Sequence, residues 1–210
     1  VKTPLASLVG YLEAIENGMV VGEEKEEYLR VISDKAHRLK EFVISLFEWV
    51  KLDAKEQVFH FELSDLNELT RSIIADWVPT LENSRLEYEI EIPENEWSAR
   101  IDANAFTRIL NNLFQNIMVH SAATYIKLSV KEDTQRAIIS LTDNGKGIST
   151  EDLPHIFERM YQCDHSRSAN GNGLGLSITK ELVNAHKGTI SAASSPGLGT
   201  TFTIVLPKAL

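Results

Sequence analysis

The N-terminal stretch carries a heptad-like pattern of apolar positions. Val1, Leu5, Leu8, Leu12, Ile15 and Met19 are spaced alternately four and three apart. After a break at Asn17, Gly18 and Gly22 the spacing resumes with Leu29, Ile32, Ala36, Leu39, Val43, Leu46 and Val50. Two seams of this period joined by a glycine-containing turn predict an antiparallel helical hairpin. The acidic run Glu23, Glu24, Glu26, Glu27 suits the positive dipole end of the second helix. A stripe this narrow buries little by itself, so a four-helix bundle made by two copies is expected, with packing of the hairpin on its own chain as the alternative.

A polar segment, Asp53-Ala-Lys-Glu-Gln57, closes the hairpin, and the period then changes. Phe59 to Leu63 alternates as a strand does. Asp65 or Ser64 can cap a helix reaching about Trp77, and Leu86 to Ile92 alternates strictly as a half-buried strand. Asn104 to Val119 is predicted helical, with Phe106, Ile109, Leu110, Leu113 and Ile117 on one face. Tyr125 to Val130 and Ala137 to Leu141 are predicted as adjacent strands, Leu174 to His186 as a helix, and Thr189 to Ala193 and Thr201 to Leu206 as closing strands. The predicted fold is α+β: a hairpin over residues 1–55, then a sandwich over residues 58–210 with helices on one face of a mainly antiparallel sheet.

Charge and composition narrow the partners. The 210 residues carry a formal net charge of -9 with no clustered Lys/Arg stripe, which argues against nucleic acid and anionic membrane surfaces. A phosphate ligand would therefore need a cation or backbone dipoles to hold it. The single cysteine, Cys163, excludes an intrachain disulfide and favours a reducing compartment. No apolar run approaches the roughly 20 residues that cross a bilayer. The chain opens on Val1 rather than Met, so it is read as a fragment, and a missing membrane anchor says little about the parent protein.

Four motifs carry candidate chemistry. Asp143-Asn-Gly-Lys-Gly147 follows a predicted strand; its glycines allow backbone to approach a flat ligand, and a carboxylate at a strand end can accept from an exocyclic amine. Alone it is also an ordinary turn. Gly171-Asn-Gly-Leu-Gly-Leu176 opens a helix, where free N–H groups and the dipole favour phosphate. It is neither a dinucleotide fingerprint nor a Walker loop. Asn112 and Asn116 share a helix face, and an Asn oxygen is a suitable ligand for Mg²⁺. Pro196-Gly-Leu-Gly-Thr-Thr-Phe202 precedes the last strand and by itself is a hairpin turn.

In this order the motifs resemble the ATP-binding domain of bacterial histidine kinases, within the wider family of type II topoisomerases, MutL-type proteins and heat-shock ATPases. Arg108-Ile-Leu-Asn-Asn-Leu-Phe-Gln-Asn116 resembles the N box. Asp143 to Gly147 resembles the first glycine box and Phe157-Glu-Arg-Met-Tyr161 the F box. Gly171 to Leu176 resembles the second glycine box and Gly197 to Phe202 the last. The opening Val1-Lys-Thr-Pro-Leu5 resembles the tail of the H box, which puts the phosphoacceptor histidine two positions before Val1.

The resemblance implies Mg-ATP as ligand, a homodimer through the hairpin and a response-regulator receiver domain as partner. It implies that Asp143 accepts from the adenine amino group, that Gly147 lies against the base, that Asn116 ligates Mg²⁺ with Asn112 near the phosphates, that Gly173 and Gly175 let the loop meet the triphosphate, and that Gly145, Ile148, Gly171, Leu174, Leu176, Tyr161, Arg167 and Thr201 complete the site. Without its histidine the chain is expected to bind ATP but not to phosphorylate itself. Thr3, one turn after that histidine, is a candidate for orienting water in a phosphatase reaction. Two phosphate-facing cations of the family are replaced, by Val119 and Gln162; His120, Arg159 and Arg167 are candidates to compensate. An ATP-driven clamp and a degenerate nucleotide-binding dimerisation module are the alternatives.

Overall fold

The glycine-broken heptad pattern folds into two helices. The computed structural model describes residues 2–163 and 173–208, with the backbone alone for residues 2–5. Helix α1 runs Lys2–Glu16 and α2 runs Glu23–Asp53. In the turn, the N–H groups of Asn17, Gly18 and Met19 donate to the carbonyls of Glu13, Ile15 and Ala14. Tyr11 meets Tyr28 edge to face at 5.0 Å. Much of the seam stays open, with Leu12, Leu29 and Val50 exposed alongside Val9, Ile44 and Phe47.

Val1–Val50 and Lys51–Leu210 form two compact units. The last residues of α2 belong with the second: Leu52 is buried, and the Lys51 carbonyl accepts from the N–H groups of Glu56 and Gln57, which ends the helix. The second unit continues with β1 (Glu62–Asp65), α3 (Leu66–Asn83), β2 (Glu87–Glu91), β3 (Ser98–Ile101), α4 (Ala103–His120), β4 (Tyr125–Glu132), β5 (Arg136–Asp143), α5 (Gly175–Ala185), β6 (Thr189–Ser195) and β7 (Gly199–Pro207).

Strands β1 and β3 pair as a two-stranded sheet, and the main sheet has the order β2-β4-β5-β7-β6. It is mixed: β2 runs parallel to β4, and every other neighbour is antiparallel. Period-2 alternation fixes its buried face. The register aligns Val130, Ile139 and Ile204 in one row, Leu128, Leu141 and Phe202 in the next, then Ile126, Asp143 and Thr200. Phe106, Ile109, Leu110, Leu113, Phe114 and Ile117 of α4 and Ile178, Leu182 and Val183 of α5 supply the rest of the core.

Two predicted boundaries shift, and one strand is less covered than its alternation suggests, each for a local reason. The strand expected at Phe59 begins instead at Glu62, where β3 first offers a partner in Ile101; Phe61 packs edge to face on His186 at 5.0 Å. Helix α3 continues beyond Trp77 and through Pro79, because Leu81 in its last turn is fully buried. Strand β2 lies at the sheet edge, so Tyr88 is exposed and Ile90 only partly covered.

Candidate functional site

Alternation along β5 places Asp143 in the third buried row, where the pattern calls for an apolar side chain, and it is 2% exposed. A valine there would contribute about 2 kcal/mol of apolar burial, whereas a carboxylate out of water is costly unless hydrogen-bonded. The Gly145 N–H donates to its Oδ1 at 2.8 Å. Burial pushes the carboxyl above its usual range, opposed by the backbone donors of Gly145 and Thr200.

The loop after Asp143 is held by backbone contacts. The Lys146 N–H donates to the Ser121 carbonyl at 2.8 Å, and the Gly197 N–H donates to the Lys146 carbonyl at 2.7 Å. The Ile148 N–H donates to Ser194 Oγ at 2.8 Å, and that hydroxyl donates to the Gly199 carbonyl at 2.7 Å. A Cβ on Gly147 would stand 2.0 Å from the Ser195 carbonyl oxygen, and one on Gly199 1.9 Å from that of Asp143. The loop, the end of α4 and the β6–β7 turn are thus one close-packed body.

Helix α4 begins on an N-cap, Asp102, whose side chain accepts from the Ala105 N–H. Its rotation is fixed by Trp77, which donates to Asn111 Oδ1 at 2.7 Å and stacks on Phe114. Positions four apart share a helix face, and α4 carries Arg108, Asn112, Asn116 and His120 at that interval, all half-buried. Asn112 Nδ2 donates to the Gly175 carbonyl and to Thr179 Oγ1, both at 3.2 Å, which ties α4 to the start of α5. Asn116, about 6 Å further along the axis, makes no hydrogen bond among the described residues. His120 Nδ1 is buried without a partner there. Burial and then the charge of Lys146 lower its pKa, which favours the neutral ring.

The start of α5 has no side-chain cap: Leu174, at the N-cap, makes no such bond. The first N–H groups of any helix have no carbonyl partner within it, and together with the helix dipole this is an arrangement that accepts anions. Leu174 is fully buried and anchors the turn, Leu176 is half-buried, and a Cβ on Gly175 would meet nothing within 4 Å. Gly173, at φ +68, lies against Met160 and Tyr161.

The second unit therefore brings Asp143, Gly145, Gly147 and Ile148 to one end of the polar α4 face at His120, and Gly173, Leu174, Gly175 and Leu176 to its middle at Asn112. Two expected residues move. Thr201 pairs with Thr142, their hydroxyls 3.0 Å apart, so its side chain lies on the sheet face opposite Asp143; its neighbour Thr200 takes the inner place. Tyr161 spends its hydroxyl on Asp152 Oδ1 at 2.6 Å. Arg167 and Gly171 lie outside the described residues, and Thr3 is described only as backbone in α1. Thr200, Ser194 and the Ser121 carbonyl were not anticipated; strict alternation from Asp143 through the glycine-threonine turn would have selected Thr200. A separate groove of about 410 Å³ lies between Leu52, Lys55, Gln57, Phe59 and the far end of α5.

Residues 101–210 match the model of the histidine kinase-, DNA gyrase B- and HSP90-like ATPases. The chain belongs to this family, and within it to the sensor histidine kinases. The sensor histidine kinase YcbM of Bacillus subtilis is 33% identical over 211 residues, which is 99% of this chain and 68% of YcbM. The sensor histidine kinase WalK of the same organism is 32% identical over 98% of the chain, which spans only 34% of WalK. Among solved structures, the Acinetobacter baumannii histidine kinase AdeS matches with a TM-score of 0.80 at 22% identity, covering 100% of this chain and 97% of that one. The histidine kinase ThkA, solved in complex with the response regulator TrrA, matches with a TM-score of 0.78 at 22% identity, covering 99% and 58%.

Proposed function

We propose that the second unit binds Mg-ATP between the Asp143 loop, the polar face of α4 and the start of α5. The chain then acts as the core of a histidine kinase, passing the γ-phosphoryl to a histidine nitrogen and from there to an aspartate of a receiver domain. The observation that carries this reading is Asp143, a carboxylate kept in a buried sheet row beside a knitted glycine loop. It suits acceptance from an adenine amino group, with Gly145, Gly147 and Ile148 shaping a slot for the flat base. The uncapped N–H groups at the start of α5 suit the phosphates, near Asn112.

Asn116 fits a magnesium ligand: it offers a hard oxygen, is half-buried, and its amide is committed to no described residue. In a protein of net charge -9 such an ion, held by Asn116, would supply most of the charge neutralisation that phosphoryl transfer needs. The chain's own residues bind and orient. His120, with its unpartnered Nδ1, can donate toward phosphate in place of the family's cation. The open seam of α1 and α2 supports a homodimer, and the named partner of ThkA supports a receiver domain as phosphoryl acceptor.

On this reading the H-box likeness of Val1 to Leu5 would put the accepting histidine two positions ahead of Val1 and Thr3 one turn after it, as a water-orienting residue for receiver dephosphorylation. The test uses a chain that carries an H-box histidine two positions ahead of Val1, incubated with γ-labelled ATP and Mg²⁺. Acid-labile, alkali-stable label that disappears in Asp143→Asn is expected; no label, or acid-stable label, contradicts the assignment. In the same protein, Thr3→Ala is expected to keep labelling and lose receiver dephosphorylation, and equal dephosphorylation rates reject that role.

A further inference from the structure

The segment between the two glycine loops contains a hydrogen-bonded centre that the ligand roles above do not use. Asp152 accepts on both carboxylate oxygens: from Ser149 Oγ at 2.8 Å on Oδ2, and from the Tyr161 hydroxyl at 2.6 Å on Oδ1. Its own N–H donates to Ser149 Oγ at 3.0 Å. On one side Ser149 follows Ile148, whose N–H is fixed to Ser194. On the other, Tyr161 follows Met160, whose N–H donates to the Gly173 carbonyl at 2.9 Å. Gly173 sits so close that a Cβ would stand 2.8 Å from the Tyr161 carbonyl oxygen. Two residues later α5 begins.

We infer that Asp152 is a positioning residue for the phosphate-binding end of the site: through Tyr161 it sets where Gly173, and hence the amino terminus of α5, stands relative to the Asp143 loop. This rests on the nucleotide reading above. The inference follows from geometry. Phe157 and Ile156 pack inward and hold the middle of the segment, while its end at Tyr161 is half-exposed. The hydrogen bond from the Tyr161 hydroxyl to the charged Asp152 therefore adds to the Met160–Gly173 backbone bond in holding Met160 and Tyr161 against Gly173. It is also the kind whose loss is felt most. The base-binding loop is held independently, by Ser121, Ser194 and Ser195, so loss of the Asp152–Tyr161 bond should be felt by the triphosphate and not by the base.

The experiment compares Mg-ATP and adenosine affinities of the chain, the latter by competition, in Tyr161→Phe, Asp152→Ala, Asp152→Asn and the Tyr161→Phe/Asp152→Ala double variant. Tyr161→Phe and Asp152→Ala should each weaken Mg-ATP about tenfold while adenosine changes less than about twofold. The double variant should lose no more than either single one. Asp152→Asn, which keeps an acceptor for the Tyr161 hydroxyl, should recover most of the loss. Parent-like Mg-ATP affinity in Tyr161→Phe, equal losses for both ligands, or additive single losses overturn the positioning role. A parent chain that binds neither ligand overturns the nucleotide reading itself, and this role with it.

Discussion

The glycine loop at Asp143 and the glycine loop at α5 look alike as sequence, yet the structure uses Gly147 of the first and Gly175 of the second in opposite ways. Around Asp143 glycines are wedges: side chains at 147 and 199 would overlap backbone at 2.0 and 1.9 Å. At α5, Gly175 faces open space, and what its missing side chain leaves clear is the approach to uncapped N–H groups. One loop is rigid because backbone lies on backbone around a buried carboxylate. The other is open where an anion would bind. A site for a nucleotide needs both, a fixed slot for the base and a reachable dipole for the phosphates.

Substitutions should separate the two. The largest effect is expected at Gly199→Ala, where overlap and a φ of +86 combine. A loss of about 3 kcal/mol should lower the melting temperature by roughly 6–12 °C, and a thermal scan within 2 °C of the parent would refute the wedge. Next is Asp143→Asn, which should weaken Mg-ATP about a hundredfold without unfolding the chain, as read by calorimetric titration. It also has a pH signature. Burial raises the folded carboxyl, so Asp143 favours folding most when protonated, below about pH 3.9, and that contribution is lost as pH rises through the folded value. The stability of the parent relative to Asp143→Asn should therefore fall with rising pH across the mildly acid range; a flat or rising difference contradicts the burial.

Gly175→Ala should do the reverse of Gly199→Ala. Stability is expected to hold or rise by up to about 1 kcal/mol, while Mg-ATP affinity drops about tenfold. Intact affinity would mean that the start of α5 does not meet the phosphates. The smallest effect is expected at Thr201→Ala, whose side chain is on the outer sheet face. Mg-ATP affinity should change less than about twofold, and a larger loss would place Thr201 in the site.

The same contrast explains what the sequence made legible. Helix α4 was plain because its apolar face and its polar face are both periodic, and the Asn112–Asn116 interval read directly as a shared side. Asp143 stood out as a charged residue ending an alternating apolar strand. Thr201 was misplaced because one residue of register decides the sheet face, and the glycine-threonine turn hides where alternation restarts. β3 was missed because four residues, Ser98–Ile101, acquire strand geometry only from their partner β1. The spacing of an aromatic residue gives no sign that Asp152, nine positions earlier, accepts the Tyr161 hydroxyl.

The central claim is that the Asp143 loop and the start of α5 are two halves of one site walled by α4. The direct measurement is an amide and side-chain NMR titration of the chain with Mg-bound AMPPNP. Shifts concentrated at Gly145, Gly147, Gly175 and the Asn116 side-chain amide, saturating with a single affinity, are the predicted result. Shifts confined to one loop, or centred on the groove near Lys55 and Asn184, would contradict it.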